Sequence, residues 1–465
     1  MANPTSSGGP KTNVEAKAER DKVIVGAITY HMDCQGYRES GGLYRRDDYV
    51  QDGVFTRTVH RTVTMPDSSG NGGGVYDEDF DAKDGERNRD FAGEFAQIRD
   101  GITATVKSYV DLPTTIELDD VVSRIGHVQD FLAESSILRS DVDALKSRIE
   151  RTLVRGQVAD VAVYYATHLG GVVANIASLV DVLAAAARKN HEAMTQLKLS
   201  LDAVFADAAA KLANSDRDIA AIVGIFEWSA GMITSGTTQN IGGLVSGVLN
   251  AVSAIDSMIT KSEENTNHVE PGVNGTRDML RKFLDRSNSA LHDAEESIGA
   301  CIDSAYVQAA DNMARPNFAI DLKGAATKYS SSPPSLEIAN LDDLKRIADP
   351  DLKALSDRFR EAEEAILDIS YVTGFSRGAG VGLDTFGIQN HFASVQRLAG
   401  DLLHNLADET DNLRSCLEVF GSEADMTEEN SAAALNRVGA PVTRRPFRSE
   451  DRVRQRYDEY RSAHG

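Results

Sequence analysis

The stretch Leu112–Gly156, LPTTIELDDVVSRIGHVQDFLAESSILRSDVDALKSRIERTLVRG, decides the fold class of this chain. It opens on a helix start signal, because Thr114 stands three residues before Glu117, the spacing of a capping box. Apolar residues then recur at Leu118, Val121, Ile125, Val128, Leu132, Leu138, Val142, Leu145, Ile149 and Leu153. This three-four spacing puts one apolar stripe on a long helix, and Arg155-Gly156 ends it. A second run follows at Leu169, Val173, Ile176, Val180, Leu183, Ala187, Met194, Leu197, Leu201, Val204, Ala208 and Leu212. Its repeat is close to a heptad, so the two runs predict a pair of long helices packed as an antiparallel, coiled-coil-like hairpin.

Downstream the chain changes character. Between Asp218 and Asp256 the only charged residue is Glu227, and the stretch Ile219–Ile255 holds the single tryptophan, Trp228. It divides into Ile219–Ile233 and Ile241–Ile255 around a Thr-Ser-Gly-Thr-Thr-Gln-Asn centre. Each half is shorter than the roughly 20 residues that span a bilayer as a helix. The turn-like centre makes a buried hairpin the first expectation, with Trp228 as its packing anchor. A membrane-inserting tongue is the alternative.

Further helices are expected over Thr276–Met313, over Leu341–Leu367 with an interruption near Asp349-Pro350, and over Phe386–Leu435. Tyr329–Pro334 (YSSSPP) is a break and the expected domain boundary, and Gly374–Gly382 is a glycine-rich turn. Upstream, Met1–Lys22 is polar and reads as a mobile tail without an apolar signal segment. Val23–Tyr30 and Val54–Met65 carry β-branched residues and predict short strands. The expected organisation is therefore a tail at 1–22, an irregular or β-containing region at 23–90 and a long helical bundle at 91–328. A C-terminal helical segment at 335–436 and an Arg-rich tail at 437–465 complete it. In fold class the chain is mainly α, an elongated antiparallel bundle with long hairpins.

Composition narrows the function. The 465 residues carry a formal net charge of −22, which argues against general nucleic-acid binding. Aromatic content of 6% favours helix packing on Leu, Ala, Val and Ile. Cys34, Cys301 and Cys416 are too far apart for a disulfide framework or a metal spacing, and read as isolated thiols. Neither a phosphate-binding loop nor an HExxH helix is present, so no cofactor or metal is expected. Asp77, Asp79, Asp81 and Asp84 invite a calcium site, but the EF-hand glycine and terminal glutamate are missing, which favours a solvated acidic loop. Gly374-Phe-Ser-Arg-Gly378 matches the nucleophile elbow G-x-S-x-G formally, with Asp384 or Asp408 and His391 or His404 as nominal partners for Ser376. His168-Leu-Gly-Gly171 imitates an oxyanion loop. That chemistry needs a strand before the serine and a parallel sheet around it, and no βαβ pattern precedes the motif. A turn between helices is the expected role, and no catalytic residue is assigned.

The stretch Leu413–Leu435, LRSCLEVFGSEADMTEENSAAAL, places an aromatic, Phe420, before an acidic residue, Asp425, an Ala-rich turn and a leucine. This resembles the end of the second helix in helical-hairpin proteins of actinobacterial type VII (ESX) secretion. The hairpin from Ile116 to Leu212 resembles their architecture, and Trp228-Ser-Ala-Gly231 is similar to their Trp-x-Gly turn. The chain departs from the family pattern in two places. Two residues separate Trp228 from Gly231. At the acidic position of the Tyr-x-x-x-Asp/Glu export signal, Tyr457 and Tyr460 have Arg461 and His464. The resemblance implies a non-enzymatic protein, made in the cytoplasm without a conventional signal peptide and exported by a type VII route. It would work through helix-hairpin contacts with a protein partner or with itself. Trp228, Gly231, Phe420 and Asp425 are the expected contact residues. Arg444, Arg445 and Arg448 in the basic tail suit an acidic surface. The alternative from the residues themselves is a pore-forming or membrane-active effector that uses 219–255 against lipid.

Overall fold

The computed structural model describes residues 13–52, 55–75, 89–133, 136–213, 273–332, 337–369 and 386–422, with short pieces at 373–375, 377, 380–383, 455, 458–459 and 462. The protein is mainly helical, with a small three-stranded antiparallel sheet near its N-terminus.

Helix α1 covers Asn13–Cys34. The strand expected over Val23–Tyr30 is therefore helix, and the expected mobile tail gives way to helix from Asn13. The β-branched residues there follow a helical period. Val23 and Ala27 fall on one row, with Ile24, Ile28 and Met32 beside them, and all five are buried. Tertiary burial overrides the local preference. Gly26 lets α1 approach the central helix closely, since a Cβ there would lie 2.8 Å from Leu212 Cβ.

Strands β1 (Arg38–Ser40), β2 (Leu43–Asp52) and β3 (Phe55–Thr64) pair in sequence order. The expected second strand, Val54–Met65, is present as β3. Its partner β2 was hidden by charge, since only Tyr44 of its described side chains is buried. Gly41 and Gly42, at φ +61° and +78°, form the two-residue turn joining β1 to β2. The sheet packs on α1 and on α2 (Phe91–Val110), with edge-to-face contacts of Tyr37 on Phe91 and Tyr44 on Phe95.

The predicted capping box is present at the start of α3 (Thr115–Leu132). Thr114 N donates to Glu117 Oε2 at 2.7 Å, and Glu117 N donates to Thr114 Oγ1 at 3.3 Å. The single helix expected from there to Leu153 is in fact two. The apolar spacing stretches to six residues between Leu132 and Leu138, and Ser136 caps a new helix, α4 (Ile137–Thr152), by accepting from Arg139 N. A short strand β4 (Leu153–Arg155) and Gly156, at φ +111°, lead into α5 (Gln157–Ala213). At 57 residues, α5 is about 85 Å long. Asp119 pairs with His191, Gln129 donates to Asp181 at 2.6 Å, and Arg139 donates to the Gly170 carbonyl at 2.6 Å. Residue numbers rise on one side as they fall on the other, so α3 and α4 run antiparallel to α5.

After the undescribed residues 214–272 come α6 (Val273–Asn312) and α7 (Leu322–Lys328), then β5 (Glu337–Ile338), which pairs with β4. Helix α8 (Leu341–Arg346) meets α9 (Lys353–Asp368) across a kink within Ile347–Leu352. Asp349 leaves the helical region at the interruption expected near Pro350. Helix α10 (Gln389–Ser422) lies along α9, where Gln396 Nε2 donates to the Ile366 carbonyl at 2.6 Å. The part of the last expected helix beyond 422 lies outside the described residues.

Two cores result. The main one surrounds the first half of α5 and includes residues before Tyr329–Pro334, such as Leu322 and Ala325, together with Leu344, Phe359 and Leu403 after it. One apolar interior thus crosses the break expected to separate domains. The second core lies under the sheet, between α1, α2, the far part of α5 (Met194 to Ala208) and Leu284 and Leu291 of α6. Among the described residues one stretch, Gln157–Leu199, contains an 18-residue window of mean hydropathy 1.8 and is long and apolar enough to cross a bilayer. More than half of its most apolar window is buried in the protein, because α1, α3, α4, α6, α7 and α10 all pack on α5.

Candidate functional site

Helix α6 carries two adjacent stripes. Leu291, Ala294, Ile298, Ile302 and Ala305 form the apolar one and are buried. Beside it Asn288, His292, Glu295, Gly299 and Asp303 recur at spacings of four, three, four and four, which aligns them on one face over four turns. This second stripe is polar or small throughout, and it faces the glycine-rich connection between α9 and α10.

The contacts are specific. Gly382 N donates to Asn288 Oδ1 at 2.6 Å, and His292 Nδ1 donates to the Gly382 carbonyl at 3.3 Å. Leu383 N donates to Glu295 Oε2 at 2.7 Å. The other important partner of Glu295 is Arg377, and both side chains of this ion pair are 0% exposed. Arg377 also donates to Asn190 Oδ1 on α5 at 2.9 Å and touches the Met194 sulfur. Further along, the His391 ring lies on Gly299, where a Cβ would come within 2.9 Å of it, and His391 Nδ1 donates to Asp303 Oδ2 at 2.9 Å. Hydrogen bonding to Asp303 fixes the His391 tautomer and turns its other nitrogen toward α6.

Two glycines are explained by the ion pair. Gly382 has φ +68° and Gly387 φ +51°. A Cβ at Gly382 would collide with the Glu295 carboxylate, and one at Gly387 with the Arg377 guanidinium. The glycine-rich turn therefore wraps backbone directly around a buried charge pair. Burying two charges is costly unless each meets a partner. Here the pair links the turn to α6 through Glu295, and Arg377 links it to α5 through Asn190 and Met194.

The formal match to a nucleophile elbow falls on this turn. Ser376 and Asp384 lie outside the described residues. Arg377, one position after the serine, is the buried anchor, and the described residues before Ser376 are helical, in α9 to Asp368 and in a 3-10 turn at Thr373–Phe375. His404 is held by Glu363 at 3.1 Å and Asp408 at 3.5 Å, away from His391 and its partner Asp303. His168-Leu-Gly-Gly171 is inside α5, where His168 Nδ1 bonds Asn317 Oδ1 at 2.7 Å.

Of the expected contact residues, Phe420 is in the main core at the last turns of α10. Its contacts are therefore internal to this chain. Trp228, Gly231, Asp425, Arg444, Arg445 and Arg448 lie outside the described residues, as do the hairpin 219–255 and Asp77, Asp79, Asp81 and Asp84. Cys301 and Cys416 are buried and in no disulfide, and burial pushes the Cys301 thiol up to about 11.

Sequence inspection missed the polar seam. Arg377 and Glu295 are 82 positions apart, and no motif contains both. The available signal was local: a second three-four stripe on α6 containing a charge, a histidine and a glycine. On α9 and α10 a depression of about 610 Å³ is lined by Arg360, Glu363, Asp368, Gln396 and Arg397 among others. Arg360 there bridges Asp408 at 3.0 Å and Asp411 at 2.8 Å. Comparison of the chain with family models, curated proteins and solved structures gives no match.

Proposed function

We propose that this is a non-enzymatic protein, an elongated antiparallel helical bundle that acts through protein–protein contacts as a substrate or associated factor of type VII secretion. The observation that supports this most is the run of α3 and α4 antiparallel along α5, from the Asp119–His191 pair to the Arg139–Gly170 bond. A hairpin of that kind presents long helix faces to a partner or to a second copy. The resemblance of Phe420, Asp425 and the Ala-rich turn to the helical-hairpin proteins of that system supplies the setting. Export by a type VII route is what that resemblance implies. With a net charge of −22, the partner is a protein and not a nucleic acid. The deciding experiment compares culture medium from cells with intact and disabled type VII machinery. Protein in the medium only with the intact machinery supports the proposal. Equal amounts in both, or none in either while the protein accumulates inside, sinks it.

A second reading is favoured by one feature, the near absence of charge between Asp218 and Asp256. In it, 219–255 enters lipid and the protein is a membrane-active effector. Dye release from anionic liposomes that is lost on deleting 219–255 would carry this reading, and no release at any pH between about 4.5 and 7.5, the range over which histidines titrate, would end it.

A further inference from the structure

We draw no further inference here: the strongest candidate, the outer edge of β3, which among the described residues is bridged only at Val63 by Val75, carries nothing because nothing in the structure shows what covers the rest of that edge.

Discussion

Replacing Arg377 with methionine tests the buried ion pair most directly. Methionine keeps most of the side-chain volume and removes the charge, which leaves the Glu295 carboxylate fully buried beside Asn190 and Met194. Removing one member of a buried pair costs about 3–5 kcal/mol, most of it the penalty of a stranded charge. Adding Glu295→Gln removes that charge, while the amide oxygen can still accept from Leu383 N as Oε2 does now. The double variant should therefore be more stable than Arg377→Met alone by at least about 1 kcal/mol, a non-additivity expected only of directly coupled residues. Urea unfolding followed by circular dichroism supplies both numbers from the shift in midpoint at constant slope. A loss below about 1 kcal/mol for Arg377→Met would refute the burial argument. A double variant no better than the single would show that the penalty comes from lost packing and not from an uncompensated charge.

Three further outcomes are expected. Thr114→Ala should lower stability by about 1 kcal/mol, because the capping box loses its hydroxyl, and a urea midpoint equal to the wild type would contradict that assignment. Glu94 is pushed up by burial, but hydrogen bonds from Arg89 and His31 outweigh this and hold its carboxyl below the usual carboxylate range. A depressed folded value stabilises the protein above the unfolded value, near 4.3, and that contribution is lost as pH falls through the folded one. The advantage of wild type over Glu94→Gln should thus be constant from about pH 7 to 5 and shrink below about 4. An advantage unchanged at about pH 3 would exclude the linkage. Cys301 and Cys416 should resist alkylation in the native protein and react on unfolding; site-resolved mass spectrometry would show otherwise if either is labelled at the native rate of an exposed thiol.

The helices were legible where a periodic apolar stripe coincided with a local stop or start signal. Thr114 with Glu117 marked the start of α3, and Asp349-Pro350 marked the interruption before α9. Errors arose where a local preference competed with long-range burial. Val23–Tyr30 has the composition of a strand, yet α2 and α5 bury it as a helix. Leu118 to Leu153 reads as one stripe, but the six-residue step after Leu132 leaves room for the Ser136 cap. Strand β2 is charged at Arg45, Arg46, Asp47 and Asp48, and is a strand because β3 pairs with it along its full length.

The seam belongs to a different class of feature, because no window of sequence contains it. Arg377 sits in a stretch that matches a catalytic motif by spacing, and the glycines on either side strengthen that impression. In the fold the same glycines serve a packing need: backbone must approach Glu295 and Arg377 more closely than any Cβ permits. Glycine spacing alone cannot separate these roles, since an elbow and a wrap around a buried charge both require small residues and positive φ. What separates them is the element that precedes the turn. A strand would aim a serine into a cleft, whereas helix α9 delivers an arginine to the interior between α5 and α6. A buried charge pair at that junction costs stability that an apolar contact would not, and it specifies a single placement of the turn that an apolar contact would not.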